Sequence, residues 1–136
     1  IAKQSMDACS STYTQVLANE FLASGKLYEY IEKMRIEYKR KAKTMVEALN
    51  KYMPTEVTWV NPRGGFYIWL TLPEEVDASE VHKEAVNGGA VIISGKTFDP
   101  AGIRNNCIRL AYSNTPEETI PKGIEIVAKA IKKCLS

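Results

Sequence analysis

The stretch Asn61-Pro62-Arg63-Gly64-Gly65-Phe66-Tyr67-Ile68-Trp69-Leu70 constrains the fold more than any other, because it joins a glycine-dependent turn to the most aromatic strand in the sequence. Pro62 fixes one φ angle, while Gly64 and Gly65 tolerate positive φ or close backbone approach, so the chain can reverse before the apolar run from Phe66 to Leu72. Val57-Thr58-Trp59-Val60 on the other side of the turn is also β-prone. The pair reads as a hairpin whose loop is longer than the tightest types.

On either side of this hairpin the apolar spacing is helical. Met6, Cys9, Tyr13, Val16, Leu17, Ala18, Phe21 and Leu22 recur at mostly three- and four-residue steps and predict a first helix over residues 4–22, stopped by Gly25. From Lys26 the same period continues through Leu27, Ile31, Met34, Tyr38, Met45 and Leu49 to Tyr52, and Pro54 ends a helix of about seven turns. Asp77-Ala78-Ser79-Glu80 has the spacing of a capping box, opening a short helix that Gly88-Gly89 closes. Ala90-Val91-Ile92-Ile93 then reads as a short buried strand, Ser94 to Asn106 as a loop, and Cys107-Ile108-Arg109-Leu110-Ala111-Tyr112 as a further strand. Thr115-Pro116-Glu117-Glu118 predicts the start of a final helix through both a capping box and a proline at its first position. The expected class is α+β, with helices packed on a small sheet of about three strands in the order α-α-β-β-α-β-α.

Composition narrows the function classes. With 136 residues, 45% hydrophobic and 25% charged, the chain suits one ordered domain with a real core. A net charge of +2 argues for neither nucleic acid nor membrane, and no apolar run reaches the ~18 to 20 residues of a membrane span. Lys39, Arg40, Lys41 and Lys43 cluster, but Glu37 and Glu47 flank them at helical spacing, which reads as a solvated helix face. Cys9, Cys107 and Cys134 are odd in number and far apart, with His82 the single histidine, so neither a disulfide framework nor a zinc site is indicated and a cytosolic setting is favoured.

Arg109 is the most informative single residue. Strand alternation puts Ile108, Leu110 and Tyr112 on one face, which reads as buried, and Cys107, Arg109 and Ala111 on the other. A guanidinium between two small residues leaves room for a carboxylate to bind it bidentately; an edge-strand arginine paired with a surface glutamate is the other reading. Other candidates carry less. Gly95-Lys96-Thr97 resembles the end of a phosphate loop, but the required first glycine falls at Ala90 and the intervening residues are a strand. His82 has no Ser, Cys or Asp at triad spacing, and nothing near Lys96 suggests the lowered pKa of a Schiff-base lysine. Glu74-Glu75 and Glu117-Glu118 are helix-edge acids.

Four passages, Ser11-Thr12-Tyr13-Thr14-Gln15, Arg35-Ile36-Glu37-Tyr38-Lys39-Arg40, the Asn61 to Leu70 stretch and Cys107-Ile108-Arg109-Leu110-Ala111-Tyr112-Ser113, together resemble the C-terminal small domain of fold-type I, pyridoxal-phosphate-dependent aminotransferases. The nearest branch is the 2-aminoadipate and kynurenine aminotransferase-like one. The resemblance implies that residues 1–136 form that small domain, with the long interdomain helix near residues 26–53, and that the large cofactor-binding domain is absent. It implies that Arg109, at the arginine of x-I-R-L-x-[FY]-S, binds the substrate α-carboxylate, and that Gly65 and Tyr67 lie beside the substrate side chain. No catalytic or cofactor-binding residue is assigned in this chain, because the family's Schiff-base motif S-x-S-K-x-x-x-P-G-x-R-x-G does not occur in it. Where the family has Pro-Gly before its conserved Phe, this chain has Ser94-Gly95-Lys96-Thr97-Phe98. The implied whole protein is a cytoplasmic homodimer that exchanges amino groups between an amino acid and a 2-oxo acid. Two other uses of the same scaffold stay open: the effector domain of a winged-helix transcription regulator, and a C-S or related lyase. Ile rather than Met at position 1 is read as the mark of a processed or excised piece.

Overall fold

The computed structural model describes residues 5–6 and 9–135. The chain divides into two compact units, Ile1–Ile36 and Glu37–Ser136.

The first unit contains helix α1 (Thr12–Ala23) and the opening turns of helix α2 (Lys26–Tyr52). The helix that apolar spacing predicts over residues 4–22 is broken rather than continuous: Ser5 and Met6 are helical, residues 9–11 are not, and positions 4 and 7–8 lie outside the described residues. Ser10 and Ser11 account for this, since short polar side chains favour caps and turns over helix interiors. The first helical bond runs from the Gln15 N–H to the Ser11 carbonyl at 3.1 Å, while the Gln15 side chain donates to the Ser10 carbonyl at 2.8 Å. At the other end Gly25 takes a φ of 72°, as the glycine stop requires. No residue of α1 is buried.

The second unit is a four-stranded antiparallel sheet with helices against one face. Its strands β1 (Thr58–Trp59), β2 (Tyr67–Thr71), β3 (Ile93–Ser94) and β4 (Cys107–Ala111) lie in the order β1-β2-β4-β3. The expected hairpin is present, with Thr58 opposite Thr71 and Trp59 opposite Leu70. Ile68, Leu70, Ile108, Leu110 and Tyr112 form the buried face, packed with Met45, Ala48 and Leu49 of α2 and with the apolar faces of α3 (Ala78–Asn87) and α4 (Ile120–Leu135). Each large aliphatic side chain buried there contributes roughly 1.5 to 3 kcal/mol. Tyr67, Trp69 and Thr71 alternate onto the opposite face and stay exposed.

Four details depart from expectation. The sheet has four strands rather than about three, because the short β3 pairs with β4 as a separate member. That strand begins at Ile93 and not Ala90: the Ala90 N–H donates to the Ala85 carbonyl and the Gly89 N–H to the Val86 carbonyl, a Schellman closure that occupies the chain just where a strand would start. Within the capping box at Asp77 only half the pattern forms. Its carboxylate accepts from the Ser79 N–H at 2.7 Å, while the Glu80 carboxylate pairs with Lys83 at 2.7 Å. The last α-helix begins at Ile120, after a 3-10 turn over Glu117–Thr119, because Pro121 has no N–H to give the Glu117 carbonyl; Thr115 instead donates to the Ala111 carbonyl.

The basic face of α2 is only partly solvated. Arg40 pairs with both Glu37 and Glu117, at 2.8 and 2.7 Å, and Thr44 donates to Glu117 at 2.6 Å. The Lys41 ammonium, 12% exposed, donates to the Ser113 carbonyl at 3.1 Å. These bonds fix α2 against the connection between β4 and α4.

Candidate functional site

Arg109 sits in the middle of β4, an interior strand, opposite Trp69 of β2 on one side and Ile93 of β3 on the other. Pairing of β4 with a strand on each side holds its backbone in place, and the two-residue alternation turns its side chain away from the core that Ile108 and Leu110 enter. The guanidinium carbon lies 4.2 Å from the ring centroid of Tyr67 and 4.2 Å from that of Phe98. Both distances are well inside the range for cation–π attraction. Nε is buried with no hydrogen-bond partner, and no carboxylate among the described residues pairs with Arg109. An edge-strand arginine neutralised by a surface glutamate is therefore not what this fold contains. The site presents a half-buried cation flanked by two aromatic rings, with no acceptor for its buried Nε–H among the described residues.

The second ring comes from an element that strand and helix periodicity does not reveal. The segment Gly95–Phe98 is a 3-10 turn laid directly on β4. A Cβ at Gly95 would come within 2.6 Å of the Cys107 Cβ, 3.0 Å of the Cys107 carbonyl oxygen and 3.0 Å of Trp69 Cζ2, so the turn can approach this closely only with glycine there. Phe98 follows and reaches Arg109, while its ring also meets Trp69 edge-on at 6.1 Å. The signal in the sequence was a glycine three residues before an aromatic in a loop. It carries no periodicity that would single it out.

Beyond Phe98, Asp99 shapes the loop. Its carboxylate accepts from the N–H groups of Arg104, Ile103 and Ala101 at 2.7, 2.9 and 3.0 Å. These bonds, that of Arg104 foremost, hold its carboxyl below the ordinary carboxylate value. An open depression of about 440 Å³ results, lined by Trp69, Gly95, Phe98, Asp99, Ile103 and Arg104.

Of the three residues singled out from the sequence, Arg109 and Tyr67 are brought into contact. Gly65 stands at the hairpin corner two residues before Tyr67, with a φ of 87° and its carbonyl accepting from the Tyr112 hydroxyl at 2.9 Å. Lys96 is exposed, and the Nδ1 of His82 is within 2.7 Å of the Ile92 carbonyl, a half-buried structural contact. Among the described residues no group of acids, histidines and cysteines is placed to hold a metal, and Cys9, Cys107 and Cys134 are all free thiols. Nor is any helix of the described residues long and apolar enough to cross a membrane.

Residues 1–127 match the family model for aminotransferase class I and II. Aromatic-amino-acid aminotransferase 1 of Thermococcus litoralis is 38% identical over 133 residues, which are 98% of this chain and 32% of that protein. Among solved structures, the kynurenine aminotransferase of Pyrococcus horikoshii superposes with a TM-score of 0.90 at 35% identity, covering 99% of this chain and 33% of that one. The α-aminoadipate aminotransferase of Thermus thermophilus, solved with N-(5'-phosphopyridoxyl)-L-leucine bound, gives a TM-score of 0.88 at 30% identity, covering 98% of this chain and 34% of that one. This chain thus spans about a third of the length of the relatives it matches. A family match along nearly its whole length, on an α+β fold of the same shape, makes the chain a member of the class I and II aminotransferase family.

Proposed function

We propose that this chain supplies the substrate α-carboxylate anchor of a longer aminotransferase that moves an amino group between an amino acid and a 2-oxo acid. The observation that carries the reading is the state of Arg109: a half-buried guanidinium against two aromatic rings, with its Nε unpartnered and no acid among the described residues to neutralise it. A planar cation walled by two rings still has its N–H groups to offer. A carboxylate matches them with two parallel hydrogen bonds. Gripping the α-carboxylate fixes how the Cα substituents are oriented, which is the part of catalysis that positioning supplies. Tyr67 would serve as the wall that holds Arg109 and faces the substrate, with Gly65 setting where that wall begins.

Pyridoxal phosphate is the cofactor expected of this family, and the residues here do not fit it. The one stretch resembling a phosphate loop, Gly95-Lys96-Thr97, has its glycine packed against Cys107 and Trp69, and Lys96 points from an exposed turn. We assign the cofactor contacts and the Schiff-base lysine to segments outside this chain. The 136-residue chain alone is then inactive and gives no stoichiometric, saturable absorbance change with pyridoxal phosphate beyond scattered lysine adducts. The whole protein is read as a cytoplasmic homodimer, with no membrane partner and with no nucleic acid contacted by this chain. The three free thiols support a reducing compartment.

The test is Arg109→Ala in the full-length protein. A loss of ~2 to 5 kcal/mol in kcat/KM is expected, the scale for removing one member of a buried charge pair. An unchanged kcat/KM removes Arg109 from the site. Assays for 2-oxo acid exchange against ammonia or an eliminated product separate transfer from lyase chemistry. A basic helix-turn-helix module upstream of residue 1 would point to a regulator instead.

A further inference from the structure

We propose that Tyr112 is a positioning residue for the Arg109 site: from the core side of the sheet its hydroxyl fixes the Gly64-Gly65 corner, and through it the seat of the Tyr67 ring on the guanidinium. The proposal rests on the anchor reading above. Tyr112 is 1% exposed and shares the buried face with Ile108 and Leu110, whereas Arg109 faces the other way, so it cannot touch a ligand held at Arg109. Any influence it has on the site is indirect.

The route is short and specific. The Tyr112 hydroxyl donates to the Gly65 carbonyl at 2.9 Å and lies 3.4 Å from that of Gly64, and its backbone N–H donates to the Phe66 carbonyl at 3.1 Å. One residue therefore donates to two consecutive carbonyls, those of Gly65 and Phe66, and lies beside a third. Side-chain packing at the two glycines does not fix the corner: a Cβ built on Gly64 or Gly65 meets nothing within 4 Å, and Gly65 takes a left-handed φ of 87°. Phe66, next in the chain, meets both Tyr38 and Tyr67 edge-on, at 5.3 and 6.1 Å, so a shift of the corner is passed to the ring that lies on Arg109. Burial raises the Tyr112 pKa above its ordinary value of 10.0, which keeps the donating proton in place across the neutral range.

Tyr112→Phe in the full-length protein removes the hydroxyl and nothing else. A ~5- to 50-fold rise in KM for the amino acid is expected, with kcat held within about twofold, because a displaced anchor weakens ground and transition states alike. The effect is expected to vanish in a Tyr67→Leu background, where no ring on Arg109 depends on the corner. With rings 4.2 Å from its guanidinium carbon, Arg109 is expected to show a ring-current-shifted Nε–H resonance in the parent, and in the Tyr112→Phe protein that resonance is expected to move toward its free value. A lowered melting temperature with unchanged KM and an unmoved Arg109 resonance is the merely structural outcome and overturns the proposal. An equal KM rise in both Tyr67 backgrounds overturns the route through Tyr67. Arg109→Ala run in parallel separates the two readings: if it leaves kcat/KM unchanged the anchor itself fails, whereas if it is damaging while Tyr112→Phe is silent only the positioning role fails.

Discussion

The Arg109 guanidinium carbon lies 4.2 Å from the centroid of the Phe98 ring, and Phe98 arrives there on a turn that contacts β4 from outside the ladder. The ring is joined to the cation by electrostatics as well as packing, so Phe98→Leu should keep the apolar contact and lose the quadrupole. Cation–π attraction of ~0.5 to 2 kcal/mol corresponds to a ~2- to 30-fold weaker hold on the substrate carboxylate. The expected reading in the full-length protein is a raised KM at nearly constant kcat. An unchanged KM would leave Phe98 as packing alone.

Two carboxylates give the fold an acid dependence of defined sign. The Ser79 N–H holds the Asp77 carboxyl below its ordinary value of 3.8, and the Arg104 N–H, followed by its neighbours, does the same for Asp99. Each therefore takes up its proton at a higher pH in the unfolded chain than in the folded one. Their stabilisation is complete above about pH 5 and is lost as the pH falls below about 4 through the lowered folded values. Asp77→Ala should cost about 1 kcal/mol at neutral pH, as for other N-cap removals. In urea melts the gap between this variant and the parent should narrow as the pH falls below about 4; a gap of constant size would mean that the carboxylate form is not what stabilises α3.

Gly95 and Gly88 test close approach in two different settings. At Gly88 an added methyl would come within 2.6 Å of Ile126 Cγ2, a branch methyl on a half-buried side chain of α4 rather than backbone. At Gly95 it would meet the Cβ and carbonyl oxygen of Cys107, which cannot move without β4. Gly95→Ala should therefore cost ~1 to 3 kcal/mol, as overpacking does elsewhere, and Gly88→Ala clearly less. Denaturation midpoints in the same background decide it, with equal losses counting against a rigid contact at Gly95.

How much of this was legible in the sequence follows from which interactions are periodic. The long helix from Lys26 to Tyr52, the hairpin and the burial of Ile108, Leu110 and Tyr112 are all statements of period, and they came through; on the other face Cys107 is buried beneath the Gly95 turn, which period does not show. The helix start at Ile120 and the strand start at Ile93 depend on single hydrogen bonds, the one Pro121 cannot make and the one Ala90 makes to Ala85, which no average over a window detects. The same holds at the site. The guanidinium and Tyr67 were visible through alternation and resemblance, whereas Phe98 and the Asp99 loop owe their places to one tight glycine and three backbone N–H groups.

The two glycines of the hairpin corner stand side by side and should respond in opposite ways. Gly65 has a φ of 87°, where a side chain is strained whatever the available space, and its carbonyl is committed to the Tyr112 hydroxyl. Gly64 has ordinary φ and open space at its Cβ position. Alanine at 65 should cost ~1 to 2 kcal/mol from the left-handed backbone alone. Alanine at 64 removes freedom mainly from the unfolded chain, so it should be neutral or stabilising by up to ~1 kcal/mol. Both are measured by urea unfolding of the same protein, and a cost at 64 equal to that at 65 would mean the corner needs flexibility rather than one left-handed residue. If the corner also sets the position of Tyr67, Gly65→Ala should raise KM while Gly64→Ala leaves it unchanged.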